Sequence, residues 1–243
     1  MTMNKKAIII GASSGIGKAV AEELLSQGWT VGVAARREER MKEFEEHYPG
    51  RVEVMQMDVT AGDATERLDR LIEALGGMDL YFHAAGVGRQ NRMLESSIEE
   101  TTIRTNCVGF TRLVGHAFRY FTVKGGGQIG VISSIAGTKG IGVSASYSAT
   151  KRFQNTYIES LQQLSSNRKL GIHLTDIRPG FVDTDLLEDD YPMKMKTETV
   201  AKKICRALEK KKAVATIDWK YRLLVFFWRL IPAPVWRRMV LIR

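Results

Sequence analysis

Tyr147-Ser-Ala-Thr-Lys151 sets a phenol and an ammonium four residues apart, and on a helix positions i and i+4 share one face. A free phenol ionises near pH ~10, too high for acid–base work at neutral pH. A neighbouring ammonium favours the phenolate and lowers that value. Ser134 stands thirteen residues before the tyrosine, just past the apolar run Gln128–Ser133. Its hydroxyl is suited to hold a carbonyl oxygen. Asn106 is a polar group in a mostly apolar stretch, suited to hold a water that relays protons to Lys151. Taken singly, a Tyr–Lys pair is also an ordinary surface pair, and a buried asparagine also satisfies backbone. The order and spacing of all four argue for a site.

A second constellation lies near the start. Gly11-Ala-Ser-Ser-Gly15-Ile-Gly17 follows an apolar run and leads into an amphipathic one. Glycines there permit a tight turn, let backbone N–H groups approach a pyrophosphate and place that anion at a helix N-terminus. The next apolar run ends in Ala34-Ala35-Arg36-Arg37. An acidic residue at that point would accept hydrogen bonds from a free ribose 2′-OH, whereas two guanidinium groups suit a 2′-phosphate. Ser13 adds a hydroxyl. NADP is therefore expected over NAD, against the alternative that the arginines simply open the charged helix 36–46.

The elements that must position these groups follow from hydrophobic periodicity. Strands are expected at Lys6–Ile10, Thr30–Ala35, Val52–Met57, Leu80–Ala84, Gln128–Ser133 and Gly171–Ile177, with Ala213–Ile217 as an edge strand. Helices alternate with them at Gly17–Gln27, near Glu38–His47, from a cap at Thr60 to Leu75, at Ser97–Phe121, Ala145–Asn167 and Thr197–Lys211. Nearly continuous Val/Ile strands imply burial on both faces, as in a single-domain α/β, doubly wound, Rossmann-type parallel sheet. With 243 residues, 44% hydrophobic and 26% charged, the chain is large enough for one core. Disorder and a disulfide scaffold are excluded by the apolar content and the two cysteines, Cys107 and Cys205, which read as buried thiols. The chain contains no long uncharged apolar run, and its N-terminal apolar stretch breaks at once into Gly11, so a cytoplasmic protein is expected. The net charge of +9 is concentrated at one end. Residues 218–243 hold Lys220, Arg222, Arg229, Arg237, Arg238 and Arg243 against Asp218 alone. A basic body tracking nucleic acid is not the reading. The division expected is a nucleotide-binding domain over 1–217 and a basic amphipathic extension over 218–243.

Over roughly residues 5–215 the chain resembles the short-chain dehydrogenase/reductase family. The resemblance rests on Gly11-x-x-x-Gly15-Ile-Gly17, Asp58-Val59, Ala85-Gly86, Asn106, Ser133-Ser134, Tyr147-x-x-x-Lys151 and Pro179-Gly180-x-x-x-Thr184. It implies that Tyr147 is the general acid for carbonyl reduction, with Lys151 lowering its pKa and binding the nicotinamide ribose. Ser134 would orient the carbonyl and Asn106 support the proton relay. The cofactor would meet Ser14 and Ile16 in the glycine loop, Arg36 and Arg37 at its 2′-phosphate, and Asp58 and Val59 at its adenine end. Thr184 would meet the nicotinamide amide, beside Val182 and the Pro179-Gly180 turn. Two positions depart from the family: Ile10 replaces the threonine before the first glycine, and His83-Ala84 replaces an Asn-Asn pair. His83 reads as a satisfied interior histidine.

The implied activity is NADP(H)-dependent hydride transfer between the nicotinamide and a small ketone, aldehyde or secondary alcohol. Substrate contacts are expected from 89–94, 135–146 and 181–197, where Met93, Leu94, Ile141, Val143, Phe181, Leu186, Leu187, Met193 and Met195 suggest an apolar or lipid-like molecule. Reduction of 3-oxoacyl groups on acyl carrier protein is the alternative within that chemistry. A non-catalytic nucleotide-sensing protein is the alternative outside it. No metal is expected: Glu188-Asp189-Asp190 reads as a solvated loop, and His47, His83, His116 and His173 lack ligand spacing. The resemblance implies a homodimer or homotetramer through the 97–121 and 145–167 helices. The aromatic, cationic tail suits a membrane interface, a cover over the substrate mouth or a subunit contact.

Overall fold

The computed structural model describes residues 5–185 and 193–239. Leu186, Leu187 and Glu188-Asp189-Asp190 lie outside the described residues. In chain order the elements are β1 (Lys6–Ile10), α1 (Gly15–Ser26), β2 (Thr30–Ala35), α2 (Glu39–His47), β3 (Val52–Gln56), α3 (Ala64–Leu75) and β4 (Leu80–His83). There follow α4 (Ser96–Ile103), a π-helical segment (Arg104–Gly109), α5 (Phe110–Lys124), β5 (Gly127–Ile132) and α6 (Ala145–Asn167). The chain continues through β6 (Ile172–Pro179), α7 (Thr197–Glu209), β7 (Val214–Ile217), α8 (Trp219–Leu230) and α9 (Ala233–Trp236).

The seven strands form one parallel sheet in the order β3-β2-β1-β4-β5-β6-β7. Side chains alternate across it. From β1, Ala7 and Ile9 join a core with Val20 and Leu24 of α1 and Ile204 and Leu208 of α7. Ile8 and Ile10 join the opposite core with Leu68 of α3, Phe110 of α5 and Ile158 of α6. Because both faces are covered, β1 and β4 read as unbroken apolar runs. The chain reverses direction across the sheet between β1 and β4, which opens a crevice at their carboxyl ends. The glycine loop, Ala84–Gly86 and the residues after β5 and β6 all gather at that edge.

The structure corrects three expectations. The helix expected over Ser97–Phe121 is interrupted by six π-helical residues containing Asn106. There Gly109 presses on the Val59 carbonyl so closely that a Cβ would lie 2.6 Å from it, and Asn106 turns inward to bond the backbone after β4. π-Bulges of this kind commonly mark functional sites. Thr60 does not cap a helix: its N–H and hydroxyl donate to Asp58 Oδ1 at 2.8 and 2.7 Å, and α3 starts later, after Asp63. Cys107, in the π segment, is half-buried, while Cys205 is buried.

Residues after β7 fold back on the sheet's carboxyl edge. The Asp218 side chain caps α8 by accepting from the Lys220 N–H. Tyr221 is fully buried, and its ring lies so close to Gly180 that a Cβ there would sit 2.2 Å from it. Farther on, Lys139 Nζ donates to the Ile231 carbonyl at 2.6 Å, and the Trp236 indole donates to the Gly140 carbonyl at 2.8 Å.

Candidate active site

At the nucleotide end the geometry is set by backbone. Gly11 adopts a left-handed φ of +92°, and a Cβ on it would lie 2.5 Å from the Ala85 nitrogen. A Cβ on Gly17 would lie 2.2 Å from the Gly11 carbonyl. Only glycine lets α1 begin tucked under the loop in this way. The N-terminus of α1 carries no acidic residue in its first turn, and the Ser14 side chain does not cap it, so its unpaired N–H groups face the crevice mouth as donors for an anion. Arg37 Nη2 donates to the Ser13 and Ser14 hydroxyls at 3.3 and 3.2 Å. Arg36 is exposed at the end of β2, with its carbonyl taken by Gln56 Nε2. This donor set, cationic and free of a carboxylate at the β2 terminus, fits a dinucleotide bearing a 2′-phosphate.

The remaining residues of that end surround the same loop. Ile16 packs on the core beneath it, and Val59 and Val182 are buried, leaving their backbone to line the crevice. The methyl of Thr184 lies 3.1 Å from where a Gly15 Cβ would stand, and its hydroxyl donates to the Val182 carbonyl at 3.3 Å. Asp58 is partly shielded, which alone would raise its pKa. The two hydrogen bonds from Thr60 and the nearby Arg36 charge outweigh that and hold the carboxyl below its usual range. Pro179 ends β6 and Gly180 fits under Tyr221.

The proton-transfer end is built from side chains of distant elements. Tyr147 and Lys151 share one face of α6, with Lys151 Nζ 5.7 Å from the phenol ring centroid. The ring packs on Gly88, where a Cβ would lie 2.5 Å from it. The Ser134 hydroxyl accepts from the Ala136 N–H at 3.0 Å. Burial raises the Tyr147 pKa above the usual phenol range, with the nearby Ser134 hydroxyl pulling the other way. The Lys151 ammonium donates to the Ile132 carbonyl and to Gln154 Oε1, each at 3.0 Å. Lys151 is itself buried, and desolvation pushes its pKa down to about 8, opposed by the Asp176 charge.

Asn106 is fully buried and its side chain is committed to protein. Its Nδ2 donates to the Val87 carbonyl at 2.7 Å and Thr150 Oγ1 at 3.1 Å, while its Oδ1 accepts from the Val87 N–H at 2.9 Å. Asn106 and Lys151 are also linked through protein atoms. Gln154 Nε2 donates to the Asn106 carbonyl at 2.9 Å while its Oε1 accepts from Lys151. His83 is buried and neutral, its pKa driven down to about 3 by desolvation and by the Lys151 charge. Its Nδ1 meets the Tyr81 hydroxyl at 2.8 Å, but Nε2 has no partner, so the reading of a fully satisfied histidine holds for one nitrogen only.

Gln154 and a buried carboxylate cluster are what sequence reasoning missed. Asp176 of β6 accepts from Ser133 Oγ, from Asn155 Nδ2 at 3.0 Å and from Arg178 Nε at 2.7 Å. Its charge lies behind the lysine. The available signals were Gln154 at i+3 from Lys151, and an acid inside the apolar run Ile172–Pro179. No group of three or more His, Cys, Asp or Glu residues among the described residues is placed to hold a metal.

A parallel doubly wound sheet with an anion-binding glycine loop at its switch point, and a Ser–Tyr–Lys cluster at the same edge, defines a nucleotide-dependent oxidoreductase architecture. The family model described as short chain dehydrogenase matches residues 5–194, and the chain belongs to that family of oxidoreductases. An uncharacterized oxidoreductase of Myxococcus xanthus is 30% identical over 240 residues, covering 95% of this chain and 94% of its own. The 3-oxoacyl-[acyl-carrier-protein] reductase FabG of Escherichia coli is 30% identical over 217 residues, covering 87% and 88%. Among solved structures, a short-chain dehydrogenase from Streptomyces avermitilis superposes with a TM-score of 0.82 at 23% identity, covering 92% of both chains. The structure of ElxO with NADP bound superposes at 0.80 and 24% identity, covering 91% of this chain and all of that one.

Proposed function

We propose that this chain is an NADP(H)-dependent reductase of ketones or aldehydes, with a small apolar carbonyl compound as substrate. The observation that carries the reading is Tyr147 with Lys151 Nζ 5.7 Å from its ring, near Ser134, at the sheet edge where the arginine-flanked glycine loop opens. NADPH, when bound, supplies the hydride. Ser134 donates to the carbonyl oxygen and fixes its position. Tyr147, protonated at neutral pH like any phenol, gives its proton to that oxygen as negative charge develops there. Lys151, still charged below about pH 8, favours the phenolate left behind. Gln154 holds the ammonium against Asn106, so the π segment and α6 keep one spacing. Arg36, Arg37 and Ser13 grip the 2′-phosphate. The NADP-bound neighbour supports this cofactor.

Exposed apolar residues Ile103, Val108, Phe153 and Leu164 on the α4–α5 helix and α6 support self-association of this reductase through those helices. The FabG likeness favours a second reading, in which the ketone is tethered to acyl carrier protein. Comparing one 3-oxoacyl group on the carrier and as a free thioester separates the two. The test of the cofactor site is a fluorescence titration with NADPH and NADH of wild type and Arg36→Ala. Wild type is expected to prefer NADPH and the variant to lose that preference. Equal affinities in wild type would overturn the assignment of the arginines.

A further inference from the structure

α8 has two unlike faces. Tyr221 and Val225 are buried with Ile135, and Phe181, Met195 and Trp228 pack against them. At 100° per residue, the opposite side carries Trp219, Leu223, Phe226, Phe227 and Leu230, each between 48% and 65% exposed. The outward strip holds no polar residue. Lys220 flanks it on one side, Arg222 and Arg229 on the other, all exposed, and α9 and the turn after it add exposed Val235, Arg237 and Arg238. Asp218, the single acidic residue from 218 to 239, is already taken by Lys203 at 2.5 Å and by the cap of α8.

Three occupants can be compared by their chemistry. A second copy would bring two cationic rims together. An acidic protein would match the rim but not a continuous strip of aromatic and aliphatic side chains. A bilayer surface with anionic headgroups matches both, since apolar side chains enter the acyl boundary, tryptophan sits at headgroup level and each cation meets a phosphate. The helix lies in the plane rather than across it. Twelve residues span about 18 Å, short of the ~30 Å hydrocarbon core. Among the described residues no helix is long and apolar enough to cross a membrane.

We propose that the outer face of α8, with the cations of α9 and its following turn, is an in-plane docking surface for an anionic phospholipid bilayer. The inner face of the same helix braces the loops after β5 and β6 through Ile135 and Phe181, so docking turns the substrate side of the molecule toward the lipid. The proposal does not depend on the reductase reading, because its readout is binding and not turnover.

The experiment is flotation of the full chain with vesicles of phosphatidylcholine alone and of phosphatidylcholine with phosphatidylglycerol. Wild type is expected to float with the anionic vesicles, weakly with the neutral ones, and to be released by salt. Phe226→Glu/Phe227→Glu is expected to lose binding by more than about tenfold. Arg222→Gln/Arg229→Gln, which keeps the apolar strip, is expected to lose at least about fivefold on anionic vesicles only. An unchanged far-ultraviolet spectrum and melting temperature establish that each variant is folded, and the arginine pair decides the matter if the glutamates disturb folding. Failure of wild type to float, or flotation unaffected by both variants, overturns the proposal. So does a wild-type dimer that the glutamates convert to monomer, which would give the face to a second copy.

Discussion

The two ends of the crevice are made in different ways. The nucleotide end is a matter of local backbone: glycines with forced approaches, a helix N-terminus without a side-chain cap, and arginines on consecutive positions. The proton-transfer end is a matter of long-range side chains, in which α6, the π segment, β5 and β6 all contribute partners to a buried network. A local device tolerates change around it. A network held at low dielectric depends on every member, because an unpartnered buried polar group is costly.

Substitutions can break or sharpen that contrast. Lys151→Ala removes the charge at the centre of the network, and carbonyl reduction is expected to fall by about 10²–10⁴-fold, measured as NADPH oxidation with an apolar ketone. Arg36→Ala touches only the local end. Losing a charge-assisted bond to a phosphate should weaken NADPH by about 10–100-fold and leave NADH affinity and the bound-state rate unchanged in the same titration. Gln154→Leu keeps both functional ends but removes the acceptor of Lys151 and the donor to Asn106. A rate loss of about tenfold is expected, and it should depend on pH. In wild type the active ammonium is present below its pKa of about 8 and lost as pH rises through it. Without the Gln154 acceptor that pKa drops further, so the falling limb of kcat should move to lower pH. A variant that had merely loosened the fold would lose rate at all pH values instead.

The contrast also explains what was legible before the fold was known. The strands, their parallel doubly wound class and the glycine loop follow from apolar runs and from glycines whose reason lies within a few residues. Element boundaries came within about three residues at most strands and helices for that reason. The resemblance assigns Asp58 only to the adenine end of the cofactor. The bonding of Asp58 to Thr60 depends on a turn that periodicity does not report. The π segment is invisible to a 3.6-residue pattern because its cause lies elsewhere, in the Val59 carbonyl and the Val87 backbone. The Lys151 ammonium is held by Gln154 and the Ile132 carbonyl. Only the folded chain brings those two together.

The tail separates along the same line. Its composition announced an amphipathic segment, whereas its seat on Gly180 and against Ile135 required the loops after β5 and β6 to be in place.

The most direct measurement is single-turnover oxidation of bound NADPH by an apolar ketone in wild type and Tyr147→Phe. Removing one hydroxyl leaves the ring on Gly88 and the cofactor end untouched. Unchanged NADPH affinity is expected, with oxidation slower by about 10²–10⁴-fold. Oxidation at the wild-type rate in the variant would contradict the assignment of the acid, because the proton would then come from a group other than Tyr147.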